Sequence, residues 1–131
     1  MNARPNTPPP LHELEAEVMD AVWDSPQDEV TVREIMDVLN KRTKSPRAYT
    51  TYMTIMRRLD SKALLNRRRE GKTDIYRPVH SRAEYADLRA QAEVSQLVEQ
   101  YGEVALSHFA KQMAELDPER RRQLQRLARK S

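Results

Sequence analysis

Apolar residues near the start of the chain recur at the spacing of a helix. Leu11, Leu14, Val18 and Val22 follow one another at intervals of three or four residues, which places them on one face of an α-helix. The other positions of this segment are mostly acidic or small. The pattern therefore predicts an amphipathic helix that begins at Leu11 and ends near Pro26.

A second helix is predicted from its capping signal. Thr31 is followed three positions later by Glu34, so that each side chain can accept a hydrogen bond from the other residue's backbone amide. The residues that follow place four apolar side chains on one helical face: Val32, Ile35, Met36 and Leu39.

A third helix is predicted to begin between Pro46 and Tyr49 and to end at about Lys62. Its apolar positions form an inward face that consists of Tyr52, Ile55, Met56 and Leu59. The remaining positions are rich in Thr and Arg. Threonine is unfavourable in an exposed helix, because its branched side chain loses rotamer freedom there. This cost favours a function for the polar face over a merely solvated surface.

The hydrophobic period changes after the third helix. Residues 65–69 and 73–77 are two short β-prone runs on either side of a turn that contains Gly71, which predicts a hairpin. Three helices followed by a basic hairpin form the element order of a winged helix-turn-helix domain. We therefore predict a mainly α protein in which this domain is followed by a helical dimerisation region.

The chain is expected to divide into three parts. Residues 1–10 contain four prolines and predict a disordered arm, residues 11–80 form the winged-helix DNA-binding domain, and residues 81–131 form a helical dimerisation domain. A capping box that starts at Ser81, a break at Gly102 and a helix start at Asp117 divide the last part into three helices.

The three C-terminal helices carry too little apolar surface for a core of their own. Short helices are marginal in water unless they pack against a partner, and the simplest partner is a second copy of the chain. The residues that we expect at this interface recur at helical spacing: Tyr85, Leu88, Ala92, Val98, Tyr101, Leu106, Phe109, Met113, Leu124 and Leu127.

The formal net charge of +3 over 131 residues conceals a strong asymmetry. Residues 11–40 hold nine acidic side chains and one basic one, whereas residues 41–77 hold twelve basic and three acidic ones. A basic block of this kind favours a polyanionic partner such as double-stranded DNA. A solvated charged surface remains the alternative at this stage.

The candidate DNA-binding residues lie on the third helix and on the hairpin. A helix fits the major groove, where Thr methyls can contact thymine and Arg can contact guanine or phosphate. The helix residues are Arg47, Tyr49, Thr50, Thr51, Met53, Thr54, Arg57 and Arg58. The hairpin residues are Arg67, Arg68, Arg69 and Lys72. Charge on an exposed hairpin edge also protects against aggregation, so both roles are open there.

Several classes of function find no support in the residues. The chain has no cysteine, its three histidines stand in separate segments, and it contains no metal-binding, phosphate-loop or hydrolase motif. We therefore expect no enzyme activity, no catalytic residue, no metal and no cofactor. The lack of cysteine fits the reducing cytoplasm, and no apolar run is long enough to insert into a membrane.

The residues resemble those of a known family. Residues 14–23 are similar to the first-helix signature of the penicillinase and methicillin-resistance repressors, the BlaI/MecI type. Residues 31–35 resemble the start of their second helix, residues 48–59 resemble their recognition helix, and residues 70–78 resemble their wing. The resemblance is close over residues 11–80 and looser beyond.

This resemblance implies a homodimeric transcriptional repressor that binds a dyad-symmetric operator. In the family, a membrane sensor-protease that detects β-lactam triggers cleavage in the C-terminal domain, which weakens the dimer and releases the DNA. The corresponding bond here is His108-Phe109, where the best-known members have Asn in place of the histidine. The resemblance thus implies inactivation by proteolysis in response to an antibiotic or cell-wall signal.

A second class of function is compatible with the same pattern. Winged-helix domains also serve as protein-interaction modules, and the basic block of residues 41–77 could bind an acidic protein. Binding to duplex DNA distinguishes the two interpretations.

Overall fold

The computed structural model describes residues 7–130, and residues 1–6 and 131 lie outside it. Over this range the chain forms six helices and three strands in the following order: α1 (Glu13–Asp24), β1 (Val30–Thr31), α2 (Val32–Asn40), α3 (Tyr49–Ser61), β2 (Leu65–Glu70), β3 (Thr73–Pro78), α4 (Arg82–Tyr101), α5 (Glu103–Ala114) and α6 (Pro118–Lys130). The predicted mainly α fold with a winged helix-turn-helix is confirmed. Two compact units, residues 1–90 and 91–131, divide the chain.

Local capping explains where the first two helices begin. Glu34 and Thr31 exchange hydrogen bonds of 2.8 and 3.2 Å between side chains and backbone amides, as the sequence predicts for α2. Helix α1 begins at Glu13 rather than at Leu11 because His12 takes the capping position. The His12 amide donates to the Glu15 carboxylate at 3.0 Å.

The core of the first unit lies between the three helices and the sheet. All four side chains of the predicted inward face of α3 are buried, as are Val32, Ile35 and Leu39 of α2. Tyr76 of β3 is also completely buried. The amphipathic patterns therefore identified the core-facing side of each helix correctly.

The sheet has one strand more than the sequence predicts. Its order is β1-β3-β2, and both pairs are antiparallel. Val30 of β1 pairs with Tyr76 of β3, so the short connection before α2 closes the free edge of the hairpin. A strand of only two residues has no detectable alternation in the sequence, which is why the pattern did not reveal it.

Residues 7–10, which belong to the predicted arm, are hydrogen-bonded to the start of α4. Pro8 is buried, and its carbonyl accepts a hydrogen bond from Arg89 at 3.0 Å. The Pro9 carbonyl accepts another from the Tyr85 hydroxyl, also at 3.0 Å. Proline carbonyls can accept these bonds even though proline has no amide to donate. The rest of the predicted arm lies outside the described residues.

The first unit also extends further than predicted. We expected a boundary after residue 80, whereas the compact unit runs to residue 90 and takes in the first turns of α4. The Tyr85 and Trp23 rings lie 5.4 Å apart, and the Trp23 indole donates to the His80 carbonyl at 2.9 Å. Tyr85, expected at a dimer interface, is thus engaged within its own subunit.

The second unit has the predicted helices but almost no core. Gly102 adopts a φ of +56° between α4 and α5, a conformation that glycine tolerates without strain. The Asp117 carboxylate accepts the Arg120 amide at 2.9 Å and caps α6. Ala105 is the only buried residue among the described residues of this unit. No helix of the described chain has both the length and the apolarity to cross a membrane.

Candidate nucleic-acid interface

The face of α3 that points away from the core carries most of the predicted helix residues. Thr50, Thr54, Arg57 and Arg58 are exposed, and Tyr49 is also exposed at 44%. Exposed hydroxyl, methyl and guanidinium groups on one helix can reach base edges and phosphates in a major groove. The polar face therefore has the chemistry that its composition predicts.

Thr51 and Met53 contribute less to this face than expected. Both are half-buried, and Met53 packs against the core although we expected it to point towards a groove. The flexible methionine side chain can fill the space beside the buried Met56. Its remaining exposed surface borders the threonine face.

The turn before α3 is fixed by a residue that the sequence did not single out. The Asn40 side-chain amide donates to the Arg47 carbonyl at 3.0 Å, and its oxygen accepts the Arg47 amide at the same distance. The same oxygen accepts the Tyr52 hydroxyl at 2.8 Å. Because Asn40 ends α2 and Tyr52 lies in α3, this side chain fixes how the recognition helix begins. Arg47 itself is half-buried and lies 4.0 Å from Glu17.

The hairpin arginines separate onto two faces of the sheet. Arg67 pairs with Tyr76 and Arg69 with Asp74, so these two side chains lie on the face that is turned towards the helices. Arg68 pairs with Ile75 and points to the opposite face. The structure therefore does not bring the three predicted wing arginines together.

Arg68 is engaged by acidic side chains. Its Nε and Nη2 donate to the two carboxylate oxygens of Glu29, each at 2.9 Å, and its Nη1 donates to Glu70 at 2.7 Å. These bonds raise the pKa of Arg68 and lower the pKa of Glu29 below its ordinary value. Arg68 thus joins the hairpin to the segment before β1, and the two carboxylates beside it offset its charge, which weakens its attraction for a polyanion.

Arg57, Arg67 and Arg69 meet at one carboxylate, that of Asp74. The closest nitrogens of these arginines lie 3.5, 3.8 and 3.7 Å from its oxygens. Arg67 also lies 3.7 Å from Asp60 of α3. Helix α3 and the hairpin therefore share one cationic surface with an acid at its centre, which we call the Asp74 cluster.

Two predicted cations carry no such partner. Arg58 and Lys72 are exposed, and neither forms an ion pair with the described residues. Lys72 follows Gly71, whose φ of +63° is required by the tight turn of the hairpin. Arg58 lies in the last turn of α3, and Lys72 lies in the turn of the hairpin.

An ion pair with a buried carboxylate joins the C-terminal end of α3 to α1. Glu15 is 1% exposed, and its carboxylate accepts a hydrogen bond from Lys62 at 2.8 Å. Burial by itself would raise the pKa of Glu15, but the Lys62 bond and the His12 amide outweigh it and lower the pKa. Glu15 precedes Val18, Met19 and Val22 on the same helical face, and this position in an apolar row was the signal that it is buried.

The expected dimer residues of the second unit are mostly exposed in the single chain. Tyr101, Leu106 and Leu127 are 54%, 52% and 61% exposed. Met113 and Leu124 are also exposed, whereas Ala92, Val98 and Phe109 are half-buried, as is Leu88 of the first unit. The sequence analysis did not assign three further exposed apolar side chains to this interface: Val94, Leu97 and Val104.

The predicted cleavage position lies in the middle of α5. His108 is exposed and Phe109 is half-buried. Both side chains border an open apolar groove that Leu97, Tyr101 and Val104 also line. The described residues contain no group of His, Asp and Glu side chains that could hold a metal ion.

Comparisons with known proteins agree with this architecture. The family model described as penicillinase repressor matches residues 11–130. The chain is 36% identical over 108 residues to proteins named transcriptional regulator BlaI from two strains of Mycobacterium tuberculosis, covering 79% of this chain and 73% of each relative.

Two solved structures were also found to be similar. One is the solution structure of the DNA-binding domain of the repressor BlaI, with 28% identity, a TM-score of 0.48, and coverage of 57% of this chain and 87% of that one. The other is the Bacillus licheniformis BlaI monomeric form in complex with the blaP half-operator, with 28% identity, a TM-score of 0.46, and coverage of 59% and 89%.

The family match spans nearly the whole chain, and the relatives are similar over most of their own length. The resemblance found in the sequence is thereby confirmed. The chain belongs to the penicillinase repressor family, a family of DNA-binding transcriptional repressors and not of enzymes.

Proposed function

We propose that the chain is a cytoplasmic, homodimeric repressor in which each protomer binds one half of a dyad-symmetric operator. The observation that carries this proposal is the Asp74 cluster. It joins Arg57 of the recognition helix to Arg67 and Arg69 of the wing on one cationic surface. Such a surface matches a groove with a phosphate backbone beside it.

Each element has a distinct role in this proposal. The exposed Thr50 and Thr54 of α3 contact base edges in the major groove, and Thr51 adds a partly exposed hydroxyl beside them. Arg58 and Lys72, which have no acidic partner among the described residues, bind phosphates at the two ends of this surface. Asn40 orients the start of α3 through its bonds to Arg47.

The exposed apolar residues of the second unit support dimerisation. Within the described chain, eight of the eleven large hydrophobic side chains that are exposed lie beyond residue 90. A dimer that buries them presents two winged domains to one duplex, so the second half-site is bound at a high effective concentration. Losing the dimer would therefore lower operator occupancy by about 10²-fold or more.

We further propose that proteolysis at His108-Phe109 inactivates the repressor. A membrane sensor-protease that responds to an antibiotic or cell-wall signal would supply the cut, as the family resemblance implies. The exposure of His108 supports access to this bond, although α5 must open locally before a protease can accept it as an extended segment. The cut would separate Met113, Leu124 and Leu127 from the rest of the interface.

Selection from a randomised duplex library with the full chain tests the DNA-binding part of the proposal. We expect a palindromic consensus whose half-sites are spaced by about one helical turn or a multiple of it. A single asymmetric site, or no enrichment at all, would contradict the dimeric operator model. Failure to enrich any duplex would favour the protein-interaction module instead.

A further inference from the structure

One acid stands at the centre of the surface that the proposed function assigns to DNA. The Asp74 side chain is 11% exposed, whereas the side chains of Arg57, Arg67 and Arg69 are 47%, 38% and 61% exposed. The hairpin register places Asp74 opposite Arg69 and on the face turned towards α3. The carboxylate therefore lies beneath a layer of three guanidinium groups.

Asp74 holds these groups loosely. Only Arg57 comes within hydrogen-bonding distance, at 3.5 Å from Oδ2. The other oxygen, Oδ1, is buried and accepts no hydrogen bond from the described residues. The carboxylate thus attracts three arginines by charge without saturating any of them, and most of their N–H groups remain available to a ligand.

This arrangement restricts how the arginines can bind phosphate. Moving the cations away from a carboxylate that is largely removed from water costs free energy. The three arginines therefore cannot all turn towards the nearest phosphates of an arbitrary duplex. Asp74 also repels the phosphates themselves. Both effects weaken sequence-independent binding, whereas the contacts of the threonine face to base edges are unaffected.

We propose that Asp74 is a specificity-determining residue of the DNA-binding surface. It acts as a positioning residue through Arg57, Arg67 and Arg69, and it lowers the affinity for non-operator DNA more than the affinity for the operator. This inference rests on the proposed function, because it presupposes that the surface binds duplex DNA.

Neutralising Asp74 tests the inference. The probes are the duplex selected by the wild-type chain and a shuffled duplex of the same length and composition. Asp74→Asn and Asp74→Ser should steepen the salt dependence on the shuffled duplex by about 0.9 in the log–log slope, which corresponds to about a tenfold gain in affinity at 0.1 M salt. The ratio of operator to shuffled affinity should fall accordingly. The smaller serine keeps the test valid if the asparagine variant does not fold.

Two further variants separate this role from a general charge effect and from a loss of folding. Asp87→Asn makes the same charge change on α4 at an exposed position with no ion pair among the described residues, and it should leave the affinity ratio unchanged. Asp74→Glu keeps the charge and should restore the wild-type salt slope. A purely structural role would lower the thermal stability of the neutral variants without changing the ratio.

The outcomes are distinguishable. If the wild-type chain prefers its selected duplex and the neutral Asp74 variants keep that preference and its salt slope, this inference is overturned while the proposed function stands. If the wild-type chain selects no sequence, the proposed function and this inference fail together.

Discussion

The two units of the chain bury their apolar residues to very different extents. In residues 7–90 the apolar faces of three helices and a sheet meet in a core in which Val18, Tyr52, Leu59 and Tyr76 have no exposed surface. In residues 91–130 the helices leave most large apolar side chains exposed. The first unit buries a core of its own, whereas the second leaves apolar faces that, in our proposal, a second copy of the chain covers. On this proposal the protein can lose its function through the second unit without unfolding the first.

The largest expected effect is the loss of stability when a leucine is truncated to alanine. The dependence of this loss on protein concentration should differ between the two units. Leu59→Ala removes a completely buried side chain and should lower the free energy of unfolding by about 2–5 kcal/mol at any protein concentration. Leu106→Ala removes an exposed side chain, so its cost should appear only through the dimer and depend on concentration. Chemical denaturation at several concentrations measures both. The same dependence for the two variants would contradict the distinction.

Two negative charges placed on the apolar face of α5 should weaken the proposed dimer directly. Leu106→Asp combined with Met113→Asp puts two carboxylates on one exposed apolar face, where burial against a partner would be costly. We expect the dimer dissociation constant, measured by sedimentation equilibrium, to rise by about 100-fold or more, which is about 2.7 kcal/mol. The thermal unfolding of the first unit should stay unchanged.

The control adds the same charge at the same spacing. Ser107→Asp with Ala114→Asp changes exposed positions of α5 that carry no large apolar side chain. This control pair should raise the dimer dissociation constant less than the Leu106→Asp, Met113→Asp pair does. Equal weakening by both pairs would mean that net charge, and not the apolar face, controls association.

The ion pair of Glu15 with Lys62 gives the stability of the first unit a dependence on pH. Because the pKa of Glu15 is lower in the folded chain than its ordinary value of 4.5, its contribution to stability is present above about pH 4.5 and is lost as the pH falls through the lower folded value. Glu15→Gln should therefore destabilise the chain by about 1–3 kcal/mol at neutral pH and flatten the stability profile below pH 5.

The exposed Glu13 provides the comparison for this measurement. Glu13→Gln removes the same charge from the first turn of α1 without removing an ion pair among the described residues. Its stability should therefore keep the acid dependence that the Glu15–Lys62 pair produces. If the free energy of unfolding of Glu15→Gln falls with acid as much as that of the wild type, other carboxylates cause the acid dependence.

The smallest expected effect concerns the charge of the interface. Arg58→Gln should reduce the slope of log affinity against log salt by about 0.9, equally for operator and non-operator duplexes, because it removes one phosphate contact. Lys111→Gln makes the same charge change on α5 and should leave the slope as it is. An unchanged slope for Arg58→Gln would remove this residue from the DNA-binding surface.

The sequence predicted those parts of the molecule that local patterns determine. Capping boxes and apolar periodicity located α1 to α6 within a few residues, and Gly71 marked the hairpin turn. The contacts that organise the interface are different. Asn40, Asp74 and the separation of Arg68 from its neighbours depend on which elements pack together, and one helix or hairpin contains only part of that information.

The separation of Arg68 and the burial of Glu15 each left a signal in the sequence that could have been used. Successive residues of a strand point to opposite faces, so three consecutive arginines in β2 cannot share one surface. Glu15 occupies an apolar row of α1, where a carboxylate requires a buried partner. No comparable pattern points to the acceptor role of Asn40, because an asparagine at a helix end is ordinarily a capping or turn residue.

The stoichiometry of the complex tests the central claim most directly. Sedimentation of the full chain with its selected duplex should give two chains per duplex, and the Leu106→Asp, Met113→Asp variant should give weaker binding with single occupancy of half-sites. One wild-type chain per duplex would contradict a repressor that depends on its second unit to hold two winged domains on one operator. A variant that binds two chains per duplex as tightly as the wild type does would contradict it equally.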